Sequence, residues 1–262
     1  MTRTLLKLLA GGAIAAVCLL SGPASAQKVL KVVPRTEVKV FDPHQSGVNE
    51  TTMHVAMVYD SLFTWDLSLV SRPQMVGDYQ ISQDKLTYTF KLRPGLKFHD
   101  GTPVTTKDVV ATLHRQFKRD TQIGKLVEQV AAIERVDDQS FALKLKEPFG
   151  FVEYLISGAK SVDGGILREK EALVDPFTPI TEYIGSGPFV FNKAQYAPGA
   201  KLVYEKNKNY VPRSEPPNGF SGGKVVNLDR VEFVVIPDTA TAYAALRSGE
   251  VDFLDAPSLD LI

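Results

Sequence analysis

Between Leu86 and Val110 the chain reads LTYTFKLRPGLKFHDGTPVTTKDVV, and the spacing of its apolar positions changes along the way. Tyr88, Phe90 and Leu92 alternate with Thr87, Thr89 and Lys91, a period of two that predicts a half-buried strand. Arg93-Pro94-Gly95 predicts a turn, because proline presets φ and glycine tolerates positive φ. Leu96 to Phe98 reads as a short return strand, and Asp100-Gly101 as a second turn. Thr105, with Asp108 three residues on, has the spacing of a capping box. Val109, Val110, Leu113 and Phe117 then fall on one face of a helix.

The same reading extends in both directions. Val29 to Pro34 is a short apolar strand, and Glu50 to Leu62 predicts a helix with Met53, Met57 and Leu62 among its apolar positions. Ile133 to Val136 and Ser140 to Leu145 form a hairpin about Asp137-Asp138 that buries Phe141, Leu143 and Leu145. Gly158 to Thr181 is less regular and reads as one or two helices. Gly185-Ser186-Gly187-Pro188-Phe189 opens a strand through Phe191, Pro198-Gly199 turns it, and Lys201 to Lys206 returns. Ser214 to Gly223, rich in Pro, Gly and Ser, is a surface loop by composition. Val231 to Ile236, a helix from Pro237-Asp238-Thr239 to Ser248, the stop at Gly249 and Val251 to Leu254 fit two parallel strands joined by a crossover helix. No internal repeat is visible.

Charge and cysteine usage narrow the function classes. The 262 residues carry 30 basic and 30 acidic side chains, so no basic excess argues for nucleic acid. Residues 1–26 have the form of a secretory signal: Arg3 and Lys7, an apolar run from Leu8 to Leu20, and Ala24-Ser25-Ala26 before cleavage at Gln27. Val17 before Cys18 fits a lipoprotein signal poorly, so a freely soluble exported protein is expected. Cleavage would remove the one cysteine, and with it disulfides, thiol catalysis and thiolate metal sites. Export without disulfides suits a bacterial periplasm.

TFKLRPGLKFHDGTPVTTKDVV resembles the signature of the peptide-type (family 5) extracytoplasmic solute-binding proteins of ABC importers, the dipeptide/oligopeptide/nickel-binding family. Further elements match in order: Phe41-Asp42-Pro43-His44 before a polar glycine loop, Tyr59-Asp60-Ser61-Leu62, Gly185-x-Gly187-Pro188-Phe189, Asn207-x-x-Tyr210, and Ala245-Leu246-Arg247-Ser248-Gly249-Glu250-Val251-Asp252. The resemblance runs from about Val29 to Leu254. It implies a mixed α/β fold, the first lobe of a type II periplasmic-binding-protein-like architecture, with the second lobe missing from this sequence. On that reading 1–26 is the signal peptide, 27–48 and 179–262 are two parts of the lobe core, and 49–178 is an inserted subdomain. Family members continue into a second lobe, so the sequence is expected to be part of a longer protein.

Candidate chemistry is sparse. His44, His54, His99 and His114 form no His-x-x-x-His or Glu-x-x-His pair, so no metal site is predicted. No Gly-x-Ser-x-Gly elbow is present, Gly185-x-Gly187 runs into Pro188 and a strand rather than a helix, and no catalytic residue or cofactor is expected. Gly185-x-Gly187 reads instead as a tight bend entering a strand. Lys107, His114, Arg115, Lys118 and Arg119 give one helix a basic end, read as solvated surface complementing the helix dipole.

Gln45, Ser46, Gly47, Val48 and Asn49 are the candidate ligand-binding residues. They lie between the first strand and a helix, where α/β sheets place binding crevices. In the family, the stretch after Asp-Pro-His contacts the ligand main chain. The open alternative is an ordinary surface loop. The resemblance implies capture of a di- or oligopeptide between two lobes and delivery to a membrane permease by a monomer, with no enzyme activity. A nickel chelate, opine or oligosaccharide is the alternative ligand. An exported hydrolase or a periplasmic chaperone is the alternative of another class. The acidic residue that pairs a peptide's amino group belongs, in the family, to the second lobe.

Overall fold

The computed structural model describes residues 27–119, 123–157 and 164–258. The expected leader, residues 1–26, and residues 158–163 of the irregular segment lie outside them. The elements, in order, are β1 (Val29–Val33), α1 (Asn49–Val58), β2 (Phe63–Trp65), β3 (Ser71–Pro73), β4 (Val76–Ile81), β5 (Thr87–Leu92) and α2 (Thr106–Arg119). Then follow α3 (Gly124–Val127), β6 (Val130–Arg135), β7 (Ser140–Leu145), α4 (Val152–Ser157), α5 (Glu169–Ala172), β8 (Phe189–Phe191), β9 (Lys201–Lys206), β10 (Arg230–Val234), α6 (Thr239–Ser248) and β11 (Phe253–Leu254).

One sheet has the order β11-β1-β10-β9-β8. β1 is parallel to both β10 and β11, whereas β10, β9 and β8 run antiparallel in turn. The two strands flanking α6 are thus parallel, as the β–α–β pattern predicts, but β1 lies between them. Successive side chains of a strand face opposite sides of its sheet. Val32 accordingly packs with α1 residues Val55 and Val58 and with Phe191, Tyr204 and Phe233. Its neighbour Val33 packs with Ala242 and Ala245 of α6. The sheet is therefore covered on both faces.

α6 shows how local chemistry sets an element's ends. Asp238 accepts a hydrogen bond from the Thr241 N–H at 2.8 Å as its N-cap. Gly249 ends it in the left-handed region at φ 75°, where a Cβ would be strained.

The second sheet, β4-β5-β7-β6, is antiparallel throughout, with Phe90 opposite Phe141. It packs on Val109 and Leu113 of α2, on Val152, Leu155 and Ile156 of α4, and on Phe63. One half of the capping box forms: the Asp108 carboxylate accepts through Oδ2 from the Thr105 N–H at 2.8 Å and from the Thr105 hydroxyl at 2.9 Å. Its other oxygen accepts from the Glu169 N–H at 2.8 Å, tying the start of α2 to the start of α5.

Several sequence expectations are corrected. Leu96 to Phe98 does not return along β5, because β4 and β7 occupy both edges of that strand. It pairs instead with residues 102–104, through Phe98 N–H to Thr102 O and Val104 N–H to Leu96 O. α1 stops at Val58 rather than Leu62, since Tyr59 is extended. Its buried residues Val55 and Val58 belong to the core of the first sheet, although residue 49 opens the stretch read as inserted.

Gly185-Ser186-Gly187 is a close approach of two backbones. A Cβ on Gly185 would sit 1.9 Å from the Val58 carbonyl oxygen, and one on Gly187 would sit 2.7 Å from that of Met57. The Gly187 N–H donates to Val58 O at 2.9 Å, and the Gly185 carbonyl accepts from the His99 N–H at 2.8 Å. The three residues thus join the end of α1, the turn after β5 and the entry to β8. Replacing Gly185 by Ala must displace backbone on one side or the other. It is expected to cost roughly 3 kcal/mol, read as a lower urea midpoint. An unchanged midpoint would mean that the contact yields without strain.

Candidate functional site

After β1 the chain crosses to Phe41-Asp42-Pro43-His44 and then to the loop that enters α1. Asp42, 1% exposed, anchors this crossing. Its Oδ1 accepts from the His44 N–H at 3.0 Å. Its Oδ2 accepts from Arg115 Nη2 at 2.8 Å and from the Ile180 N–H at 3.0 Å. Arg115 is itself fully buried and donates to three carbonyls, those of Val174 (2.6 Å), Asp175 (2.9 Å) and Thr178 (3.0 Å). One buried ion pair therefore holds the start of the candidate loop against the 174–180 segment.

This corrects the reading of Arg115 as solvated surface. At 100° per residue, Asp108, Thr112, Arg115 and Gln116 form a second buried face of α2 beside the apolar one. That polar face packs on the 165–180 segment, where the Thr112 hydroxyl accepts from the Leu167 N–H at 3.1 Å. Only the apolar face carries a hydrophobic period. The signal that would have found the other is the recurrence of Asp108, Thr112 and Arg115 at helical spacing.

Gln45 to Asn49 sit on this base. Gln45 Nε2 donates to Pro176 O at 2.7 Å, and the Gln45 carbonyl accepts from Arg119 Nη2 at 3.3 Å. The Ser46 hydroxyl accepts from the Val48 N–H at 3.3 Å. The Val48 carbonyl accepts from the Thr52 N–H at 3.0 Å to start α1, and the Thr51 hydroxyl donates to Val40 O at 3.0 Å. Gln45 and Ser46 are half-buried, while Gly47, Val48 and Asn49 are exposed. The structure thus splits the five candidates into two that fasten the loop and three that it presents.

Two histidines lie near this site. His54 of α1 is fully buried, its Nδ1 3.1 Å from the Tyr204 hydroxyl, with the rings of Phe41 and Phe191 edge-on to it. Burial lowers its pKa to about 3. His44 is lowered to about 4, again by burial, against the attraction of Asp42. Both are neutral imidazoles at physiological pH, His54 in the interior and His44 half-buried. Among the described residues no three His, Cys, Asp or Glu side chains converge as a metal site.

Away from this loop, a concavity lies at the carboxyl ends of the parallel strands β1, β10 and β11. It is a cleft of about 110 Å³ lined by Pro34, Arg35, Pro237, Thr239, Tyr243 and Ala256. Open α/β sheets place ligands at such strand ends, but the sequence patterns marked none of these residues as ligand-binding.

A family description, bacterial extracellular solute-binding proteins, family 5 (middle region), matches residues 71–262. A probable peptide ABC transporter periplasmic-binding protein of Sinorhizobium fredii is 40% identical over 259 residues, covering 97% of this chain and 48% of that one. A glutathione-binding protein of Escherichia coli is 26% identical over 241 residues, covering 91% and 44%. Among solved structures, the oligopeptide-binding protein of Bacillus subtilis in complex with a nonapeptide superposes with a TM-score of 0.70 at 26% identity, covering 90% and 45%. The chain spans about half the length of the relatives it matches.

Proposed function

Because the chain belongs to the bacterial extracellular solute-binding proteins of family 5, we propose that it forms one lobe of the binding component of a periplasmic ABC importer and captures a di- or oligopeptide for delivery to a membrane permease. The observation that carries this reading is the fastening of the 45–49 loop. A buried ion pair and two further hydrogen bonds fix its base, while Gly47, Val48 and Asn49 face solvent. A ligand main chain docking on preordered backbone loses less on binding than one that must first order a loop. Glycine at 47 leaves no side chain between backbone and ligand.

Capture rather than turnover is the reading that family membership supports, and the loop offers backbone, two side-chain amides and a hydroxyl to hold a ligand. In the full protein a second lobe would close over the ligand, and the ligand would shift the open–closed equilibrium by binding the closed form better. The name of the Sinorhizobium relative favours peptides over metal chelates as the class. We further propose that residues 27–262 belong to this lobe, with the β4-β5-β7-β6 sheet in its inserted part.

The test is a titration of the purified, ¹⁵N-labelled chain with short peptides, following backbone amides by NMR. Saturable shifts confined to residues 45–49 and their neighbours are expected, with affinity in the roughly millimolar range appropriate to half a binding cleft. Shifts absent at these amides, or concentrated elsewhere, would sink the reading.

A further inference from the structure

Beside the loop sits an aromatic side chain that the fold does not use. Phe177 is 65% exposed, and the turn that carries it is nonetheless firmly held. Its N–H donates to Asp175 Oδ1 at 2.9 Å, and the Thr178 N–H donates to Asp175 O at 2.9 Å. Arg115 gathers the carbonyls of Val174, Asp175 and Thr178 on the buried side. The adjacent Pro176 carbonyl receives the Gln45 side-chain amide at 2.7 Å, so the turn and the ligand loop are fastened to each other.

Arg119 completes the junction. Its guanidinium carbon lies 5.4 Å from the centre of the Phe177 ring, while its Nη2 reaches the Gln45 carbonyl at 3.3 Å. One cation thus supports the ring and the loop together. Val48, 55% exposed, adds a second apolar side chain on the loop itself. A rigid exposed ring stays in contact with water, a cost recovered when an apolar group covers it.

We propose that Phe177 is a specificity-determining residue of the binding site, packing against a side chain of the bound peptide and selecting bulky apolar or aromatic residues over small ones. Arg119 is its positioning residue. The inference rests on the 45–49 loop being the ligand site and names the class of peptide that site takes.

The experiment compares Ala-Phe-Ala, Ala-Leu-Ala, Ala-Gly-Ala and Ala-Ser-Ala in the amide-shift titration, with wild type, Phe177→Ala and Phe177→Trp. Wild type is expected to bind the Phe and Leu peptides about tenfold more tightly than the Gly and Ser peptides. Phe177→Ala should shrink that preference to about threefold or less by weakening the Phe and Leu peptides far more than the Gly peptide, with the thermal midpoint unchanged, since the ring is exposed. Phe177→Trp should restore the preference. A merely structural role would instead weaken all four peptides equally and lower the midpoint. Saturable binding at the loop with no side-chain preference, or a preference that survives Phe177→Ala, overturns the proposal while the functional reading stands. No shift at the loop with any of the four overturns both.

Discussion

Asp42→Asn is expected to lower the free energy of unfolding by about 3–5 kcal/mol, the range for breaking one side of a buried ion pair. The substitution keeps the shape and removes the charge. Arg115, with no exposed surface, would then lie in the interior without a counter-ion at 2.8 Å. The geometry makes matters worse. All three groups on the Asp42 carboxylate are donors, namely the His44 N–H, the Ile180 N–H and the Arg115 guanidinium. An amide offers one acceptor oxygen, so its NH₂ must point at a donor on whichever side it takes. Equilibrium urea unfolding at neutral pH checks the loss, with an unchanged m value required for it to count as stability alone. Hydrogen exchange supplies the local readout: the His44 and Ile180 amides should lose protection before the amides of β5 and β7 do. A midpoint within error of wild type would mean that the pair is dispensable, and the fixed base claimed for the 45–49 loop would go with it.

What the sequence disclosed depended on whether one neighbour or many determined a residue's place. β5 was legible because Tyr88, Phe90 and Leu92 alternate against a single core, and α6 because Asp238 and Gly249 mark its ends chemically. The 45–49 loop was legible as a connection after a strand. Its fastening was not, because Arg115, Pro176 and Arg119 come from far along the chain. Arg115 was misread for a related reason: a charged residue in the last two turns of a helix is usually solvated, and only the packing of the 165–180 segment buries this one. Gly185 and Gly187 looked like bend residues. Neither takes positive φ, and what requires them is the passage of Val58 within van der Waals distance. Phe177 gave no signal at all, since one aromatic residue in an irregular stretch has no period.

Lowering the pH from 7 to 5 is expected to destabilise the protein by several kcal/mol, most of it from buried histidines. The sign follows from linkage. His54, His44 and His99 have folded pKa values lowered by burial to about 3, about 4 and about 4, below the unfolded value of 6.5. Below pH 6.5 the unfolded chain therefore takes up protons that the folded chain refuses, and stability falls as pH falls. It is full above pH 6.5 and is lost progressively down to the folded values. For His54, with no exposed surface, the interval from 6.5 to 5 is worth roughly 2 kcal/mol. His44 and His99 are half-buried and contribute less each. Carboxylates titrate mainly below this window, which leaves it nearly clean for histidine. The slope of unfolding free energy against pH between 5 and 6 should correspond to an uptake of about two to three protons. His54→Gln should remove about one of them, whatever it does to stability at pH 7, where it also loses the contact with the Tyr204 hydroxyl. A slope near zero would mean that His54 is hydrated or charged in the native protein, and the aromatic enclosure formed by Phe41, Phe191 and Tyr204 would have to open to water to allow it.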